Sequence, residues 1–129
     1  MEQIRHKSFQ NCIAACSECA IECKYCASAN LDLKEAKIKM LSHCTHLLHD
    51  CAAVCVLAME TMAGGTEFVR QIGQLCHEIC QACADECEKY SYMEHCKRCA
   101  EICRRCAMEC CNLSKMWPEI FIIKHFSSI

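Results

Sequence analysis

Cysteine is the residue type in this sequence whose number and spacing could do chemistry. The chain contains 18 cysteines among 129 residues. In much of the chain they follow one another at steps of three and four, beginning with Cys12, Cys16 and Cys19. Side chains three and four residues apart are neighbours on one face of a helix, so this spacing sets sulfur atoms one turn apart. Clustered thiols in a reducing compartment indicate metal binding or redox chemistry.

A disulfide scaffold and simple core packing fit the cysteine pattern less well. Cysteine at this density is typical of secreted disulfide scaffolds. The N-terminal stretch MEQIRHKSFQ, however, is charged and lacks the apolar run of a signal peptide. The cysteines could also serve as small hydrophobes, but so many in one helical register would pack a thin core. We therefore expect a protein that stays in the cytosol and uses its thiols.

The elements that carry these cysteines are predicted to be helices. Glycine (3) and proline (1) are scarce, and no segment shows a strand-like alternation. Breakers and caps divide the chain into four long segments, which cover about residues 8–29, 32–62, 66–89 and 91–112. Short connections make neighbouring helices antiparallel. The predicted fold is therefore all-α, an antiparallel up-down-up-down four-helix bundle with a cysteine-lined core over residues 1–113.

Three helix starts are predicted from capping residues. Asp32 with Glu35, and Ser91 with Glu94, match capping boxes that would open the second and fourth segments. Thr66 is the predicted N-cap of the third segment. The predicted ends of the first two segments are Asn30 and Gly64–Gly65.

The C-terminal residues 114–129 form a hydrophobic tail, predicted to be a short helix with Pro118 in its first turn. Its apolar side chains need covering. We expect the tail to pack on the bundle or, as the second choice, at a subunit interface. The apolar residues concerned are Trp117, Ile120, Phe121, Ile122, Ile123 and Phe126.

Charge and hydropathy argue against two classes of partner. The net charge is −2, and positive and negative side chains are interspersed along the chain. The sequence therefore has no cluster of basic residues that would bind nucleic acid. No apolar run approaches the roughly 18 residues that span a membrane. We therefore expect neither nucleic acid nor a membrane as a partner.

All cysteines but one are predicted to share a stripe that faces the bundle axis. Steps averaging about 3.5 residues form the seam of a coiled coil, and Leu48 fills a gap in the sparser second segment. Cys111 lies about 100° around the helix from Cys110 and falls outside the register. Charged residues such as Glu22 and Glu86 fall between the cysteines and can face solvent. The predicted ligands in the stripe are Cys12, Cys16, Cys19, Cys23, Cys26, Cys44, Cys51, Cys55, Cys76, Cys80, Cys83, Cys87, Cys96, Cys99, Cys103, Cys106 and Cys110.

Paired thiols of this kind suit a linear, two-coordinate, soft ion. The sequence has five CxxC and seven CxxxC pairs. Copper(I) is the cytosolic metal with that preference and with affinity for thiolate. Buried thiolates are costly unless cations pair with them, and a row of monovalent ions in the core supplies that pairing. We therefore predict Cu(I) as the bound metal.

Zinc is the main competing metal, and a redox-responsive thiol protein is the alternative from another class. Zinc needs four ligands in a tetrahedron, and a continuous helical stripe offers no discrete groups of four, although facing helices could build some. Iron–sulfur motifs tend to wrap loops around the cluster, and the Glu-x-x-His motif of di-iron bundles does not occur. The CxxC pairs lie in mid-helix without a βαβ pattern, unlike those of thioredoxin-like proteins. No catalytic constellation is present, so no enzyme is predicted.

Three segments resemble the bacterial copper storage proteins, and the missing leader makes the chain similar to their cytosolic branch. The first helix has the spacing CxxxCxxCxxxCxxC, and the fourth contains MEHCKRCAEICRRCAMEC. The matching residues of the second helix are Met40, Cys44, Leu47, Asp50, Cys51 and Cys55. The resemblance covers about residues 8–112. It implies a four-helix bundle that loads copper(I) along its core, mostly through pairs of thiolates, and assembly into a homotetramer.

Methionine and histidine are predicted at one end of the bundle, which we call the mouth and define by Met40, His43, Met93 and His95. Thioether and imidazole groups there could catch copper and pass it to the thiolates. His95 and Met40 match positions in the family pattern, so these two and His43 join the predicted ligands. At least one of His46 and His49 is expected in solvent or at an interface, His77 is expected at the surface, and core closure is expected for Met59 and Met62 at the other end.

The sequence as a whole predicts cytosolic binding and storage of copper(I), with detoxification as the companion role. Copper ions and a cytosolic copper donor or acceptor are the expected partners. A zinc-binding or redox-responsive thiol protein is the alternative.

Overall fold

The computed structural model describes the backbone of residues 2–128 and the side chains of residues 9–113. Over that backbone the chain forms helices joined by short turns, with no strand. The helices are α1 Glu2–Leu31, α2 Glu35–Met40, α3 Ser42–Gly64, α4 Val69–Glu88 and α5 Glu94–Ser128.

The four long helices form the predicted bundle. Helix α1 packs against α3 and α5, and α4 packs against the same two, so α1 and α4 lie diagonally opposite. Pairing runs antiparallel, since Cys12 meets Cys110 while Cys23 meets Cys99. The all-α four-helix bundle is therefore confirmed, and its core is lined with cysteine.

The second predicted segment is two helices rather than one. The short helix α2 buries none of its residues, and the chain breaks at Leu41 before α3 begins. Leu41 is fully buried, with a backbone conformation of φ −91° and ψ 7°. Because α2 is polar and has no inward face, burying Leu41 lets α3 take its own direction into the bundle.

Two of the predicted caps are wrong, and a third is displaced. Residues 32 and 33 belong to the turn that leaves α1, since the Asp32 N–H donates to the Ala29 carbonyl, and Lys34 is the N-cap of α2 without a side-chain hydrogen bond. Ser91 lies in the turn after α4, three residues before α5 begins. The Thr66 hydroxyl accepts a hydrogen bond from the Phe68 N–H, but Phe68 itself is the N-cap of α4.

The glycines at the end of α3 act as predicted. Gly65 has φ 66° and ψ 42°, the left-handed conformation that glycine adopts without strain. Its N–H donates to the Thr61 carbonyl at 2.9 Å and closes the last turn.

The C-terminal tail is helical in its backbone, and it continues α5 to Ser128 instead of starting a separate helix at Pro118. The expectation that it packs on the bundle or at a subunit interface concerns side chains of residues 114–129. Those side chains lie outside the described part of the structure.

In the described part of the chain, helix α3 is long and apolar enough to cross a membrane by length and composition alone, with a mean hydropathy of 1.4 over its best window. The prediction that no apolar run approaches this length is therefore wrong, because the cysteines and alanines of α3 also count as apolar. The core helix of a bundle passes the same test. Helix α3 packs its cysteine face, with Cys44, Cys51 and Cys55, into the core.

The two carboxylates Glu22 and Glu86 do not face solvent as expected. Glu22 is 7% exposed and pairs with Arg98 of α5 at 3.1 Å, whereas Glu86 is 8% exposed and pairs with Lys89 at 2.8 Å. A carboxylate beside an apolar core loses its water and needs such a cation. The Glu22–Arg98 pair thereby ties α1 to α5 outside the cysteine stripe.

The end of the bundle away from the mouth is closed by apolar side chains. Phe9, Val69 and Leu113 are at most 3% exposed there. Met62 joins them at 3% exposure, and Met59 packs partly buried against the same core. The prediction that these methionines close the core is confirmed.

Candidate metal centre

The structure brings every predicted cysteine of the stripe into the core. All are 2% exposed or less, whereas Cys111, which falls outside the register, is partly exposed. The helical spacing alone accounts for this, because steps of three and four keep one face turned toward the axis. The buried thiols are Cys12, Cys16, Cys19, Cys23, Cys26, Cys44, Cys51, Cys55, Cys76, Cys80, Cys83, Cys87, Cys96, Cys99, Cys103, Cys106 and Cys110.

Most of the close sulfur contacts join different helices. The shortest, between Cys12 of α1 and Cys110 of α5, is 3.5 Å. Similar contacts join α3 to α4, with Cys44 and Cys87 at 3.6 Å. Further contacts of this kind, at 3.6 to 4.0 Å, join Cys16 to Cys76 and Cys106, Cys19 to Cys51 and Cys103, and Cys51 to Cys80. The thiols therefore form a network across the bundle and not separate rows on each helix.

Within single helices, the close contacts follow the CxxxC pairs. Cys19 and Cys23 of α1, and Cys99 and Cys103 of α5, each lie 3.9 Å apart. Cys76 and Cys80 of α4 have the same separation. Among the described side chains, no CxxC pair makes a sulfur–sulfur hydrogen bond of this kind. Three of the seven CxxxC pairs therefore hold their two sulfurs 3.9 Å apart.

Facing helices build groups of four sulfurs, the possibility that the sequence pattern had left open. In each group every sulfur lies within 4.8 Å of the others. The groups overlap, however, because Cys19 and Cys51 belong to two of them and Cys55 also belongs to two. Three such groups among the described residues are Cys16–Cys55–Cys76–Cys106, Cys19–Cys23–Cys51–Cys103 and Cys19–Cys51–Cys55–Cys80.

The thiols near the mouth hold their protons strongly. The hydrogen bond with Cys26, together with burial and against the opposing effect of Cys44, raises the pKa of Cys96 to about 12. For Cys44 the hydrogen bond with Cys87 lowers the pKa, but the hydrogen bond with Cys96 and burial outweigh it and raise it to about 12. At neutral pH both are thiols, so binding a metal there must displace protons.

Deeper in the network, neighbouring thiols compete for the negative charge. Hydrogen bonds, first that from Cys110, lower the pKa of Cys106. The hydrogen bond with Cys106, followed by those with other thiols, raises the pKa of Cys55. A thiolate in this core is therefore stabilised by the thiols around it, which keep their own protons.

The metal-free, reduced protein is expected to lose thermal stability as the pH rises from about 9 to about 12. Cys44 and Cys96 have an ordinary pKa of 9.0 when unfolded and about 12 when folded. Over that window the folded state binds more protons than the unfolded state, so the free energy of unfolding falls with pH. Below the unfolded-state pKa of 9.0, the contribution of Cys44 and Cys96 to the free energy of unfolding is fully present. Circular dichroism melts under reductant measure the effect.

The matched variants for this experiment are chosen by burial. The double variant C44S/C96S should lose less of its melting temperature over the same pH interval, since it lacks two of the thiols responsible. The variant C111S removes a partly exposed thiol and should follow the parent protein. An alkaline loss in the double variant as large as in the parent would contradict the assignment.

At the mouth, one histidine is brought against the cysteines. His95 presents a ring nitrogen within 4.8 Å of the sulfurs of Cys26 and Cys96, all within one group. His95 is half-buried at the start of α5, where the seam spacing places it beside Cys96. This group combines imidazole with thiol, the mixture predicted for the mouth.

The other two predicted ligands of the mouth lie at the surface. Met40 is 44% exposed at the end of α2, and its carbonyl accepts a hydrogen bond from the Tyr90 hydroxyl at 3.4 Å. His43 is exposed on the first turn of α3. Met93 packs partly buried against the core. Of the residues that define the mouth, Met40 and His43 are therefore exposed and do not belong to its buried part.

The remaining histidines occupy other positions. His46 and His49 are both exposed on the outside of α3, and the Lys24 ammonium lies 3.0 Å from Nδ1 of His49. His77 is half-buried and not simply at the surface, because its Nδ1 lies 2.7 Å from the Ala107 carbonyl of α5. That hydrogen bond links α4 to α5.

Asn30 is the residue of this end that sequence reasoning missed. The sequence pattern assigns it only to the end of the first helix, yet its side chain is 0% exposed. Its amide contacts Thr45 of α3 as well as His95 and Cys96 of α5. No signal in the sequence separates this asparagine from an ordinary helix-ending one, because its partners come from distant helices.

Comparison with known proteins gives one family. A family model described as copper storage protein matches residues 5–115 of the chain. A cysteine-rich protein of Bacillus subtilis (strain 168), YhjQ, is 37% identical over 86 residues, which are 67% of this chain and 77% of that protein.

Solved structures with the same fold cover most of the bundle. The copper(I)-bound copper storage protein BsCsp3 of Bacillus subtilis has a TM-score of 0.78 and 34% identity, over 83% of this chain and 98% of its own. A cytosolic copper storage protein from Streptomyces lividans, with five coppers, has a TM-score of 0.81 and 34% identity, over 88% of this chain and 97% of its own. The family match ends at residue 115, so most of the hydrophobic tail lies beyond it.

Proposed function

Because the chain belongs to the copper storage protein family, we propose that it binds and stores copper(I) along its bundle axis through thiolates. The observation that carries this function is the sulfur network of the core, with contacts of 3.5 to 4.0 Å that reach across all four long helices. Copper(I) is soft and accepts few ligands, so neighbouring pairs in such a network can each hold an ion.

The overlap of the four-sulfur groups argues against zinc. The group Cys19–Cys51–Cys55–Cys80 shares sulfurs with each of the other two groups, so tetrahedral zinc with terminal ligands could fill at most two of the three. Two-coordinate copper(I) needs only half as many sulfurs per ion, so it can divide the network into pairs. The network therefore favours many monovalent ions over a few divalent ones.

Charge balance supports the same function. Removing protons from many buried thiols would leave an anionic core, which is costly without cations. Each copper(I) ion that enters displaces thiol protons, and its positive charge offsets part of the negative charge of the thiolates that bind it. Binding of this kind needs no catalytic step, and we propose storage and sequestration instead of an enzymatic role.

We propose the buried cysteines as the main ligands, with His95 joining Cys26 and Cys96 at the mouth. Met40 and His43 would act earlier, as exposed groups that catch copper near the mouth. The apolar closure at the other end, formed by residues such as Phe9 and Leu113, supports passage of copper through the mouth. Cytosolic location, a homotetramer, and an exchange partner that donates or accepts copper are parts of the same proposal. So is a division into the bundle of residues 1–113 and the tail of residues 114–129.

Titration of the reduced protein with copper(I) tests this function. With a chromogenic copper(I) chelator in competition, we expect saturation well above about four ions per chain, the limit that tetrahedral sites with separate ligands would set. The ions should be bound in preference to zinc, measured by adding excess zinc to the loaded protein. Saturation at about four metals with zinc preferred would overturn the storage function and favour the zinc alternative. Stable disulfides in place of metal uptake would favour the redox alternative.

A further inference from the structure

Asn30 stands out among the buried polar side chains near the mouth. It is 0% exposed, close to the end of α1, and its amide joins three helices. Its Nδ2 donates to the Thr45 hydroxyl of α3 at 3.2 Å. Its Oδ1 lies 2.8 Å from Nε2 of His95 and 3.9 Å from the sulfur of Cys96, both on α5.

Burying an amide is costly unless its donors and acceptors are used. Leucine, which has the same number of side-chain heavy atoms in the same branched arrangement, is buried without that cost at Leu41 and Leu48 elsewhere in the core. Packing alone therefore does not account for an asparagine here. What asparagine supplies and leucine cannot is a hydrogen-bond acceptor aimed at His95.

The direction of the hydrogen bond between Asn30 and His95 determines which ring nitrogen of the imidazole carries the hydrogen. With Nδ2 turned to Thr45, the oxygen of Asn30 faces His95. A carbonyl oxygen only accepts, so Nε2 of His95 carries the hydrogen and donates it. A neutral imidazole then has its lone pair on Nδ1. Histidines that bind metals are commonly held in this way, by a hydrogen bond from the ring nitrogen that does not bind.

We propose that Asn30 is a positioning residue for copper uptake, which holds His95 with its Nε2–H on the amide oxygen so that Nδ1 offers its lone pair to incoming copper(I). The ion then passes to Cys26 and Cys96, which lie beside the ring. The inference rests on the proposed function, since it assigns a role within copper loading. The Cys96 thiol also donates to this oxygen at 3.9 Å, and when that thiol gives up its proton to bind metal, His95 remains as the donor to the oxygen.

The rate of copper(I) transfer from a chromogenic chelator complex to the reduced protein, followed by stopped flow, tests the role of Asn30. N30L removes the acceptor and should slow the first phase of uptake by about tenfold, with the final capacity unchanged. N30D keeps an oxygen toward His95 and should retain most of the rate. A purely structural role predicts the opposite order of the two variants. In thermal melts N30L should then keep a higher melting temperature than N30D, because a buried leucine is tolerated better than a buried carboxylate.

A double-mutant cycle separates the action of Asn30 from that of the ring. In an H95A background, N30L should have no further effect on the uptake rate. Long-range 1H–15N NMR of wild-type protein should show a protonated Nε2 before loading, and copper should shift the Nδ1 resonance of His95. A copper shift on Nε2 instead would overturn the proposal, even if N30L failed to fold.

The outcomes for the two proposals are distinct. If the wild-type protein takes up only a few ions and prefers zinc, the storage function fails. If wild type loads fully, but N30L loads at the same rate or slows equally in the H95A background, storage stands and the positioning role of Asn30 is rejected.

Discussion

Loading with copper(I) is expected to raise the melting temperature of the reduced protein by at least about 20 °C. Each site filled at about a thousandfold excess over its dissociation constant adds about 4 kcal/mol, and several sites act together. The ions would link sulfurs that belong to different helices, such as Cys12 with Cys110 and Cys44 with Cys87. Loading therefore replaces weak thiol contacts with metal bonds between helices. Thermal melts of metal-free and loaded protein measure the shift.

The control for this experiment is a variant outside the network. C111S alters the partly exposed cysteine, and its shift on loading should equal that of the parent. A shift of less than about 5 °C in the parent would mean that copper sits at the surface and does not bridge the core. Removal of copper by a strong chelator should return the melting temperature to its metal-free value.

The second large effect is expected from removing one four-sulfur group. Changing Cys16, Cys55, Cys76 and Cys106 to alanine should lower the copper capacity by about two ions, since two-coordinate copper(I) uses two thiolates. The four sulfurs come from α1, α3, α4 and α5, so one layer of the bundle would lose its metal bonds. The gain in melting temperature on loading should shrink with it. Metal counting by elemental analysis after gel filtration measures the capacity.

Single variants test the same prediction in case the quadruple variant does not fold. C55A removes one sulfur from two overlapping groups and should lower the capacity by about one ion. C111A should leave it unchanged. An equal capacity in C55A, C111A and the parent would show that the core thiols are not the ligands. Circular dichroism in the metal-free state checks that each variant keeps its helices.

The cysteine stripe shows how far helical periodicity alone can be trusted. Steps of three and four turn residues toward one side of a helix whatever its partners are, so the inward face and the exception of Cys111 could be predicted. Which sulfurs lie next to one another across the bundle could not be predicted. Whether Cys12 meets Cys110 or another thiol depends on how the helices are shifted along one another, and no spacing within one helix contains that shift.

The helix starts show where local signals fail. Asp32 and Ser91 have the partners of a capping box in sequence, but tertiary packing assigns both to turns that leave the preceding helix. The break at Leu41 has the same origin, because burying one leucine outweighs continuity of a short polar helix. Capping contributes only about 1 kcal/mol, which packing of the long helices easily exceeds.

The thiol-filled core and the fold class were determined by the sequence itself, because both follow from the local geometry of a helix and from the residue types on one face. The choice of sulfur neighbours, the overlap of the four-sulfur groups and the burial of Asn30 against His95 were decided only by tertiary structure. These features join residues that are distant in the chain. Their positions depend on the offset and rotation of whole helices, which are set by packing over the full length of the bundle.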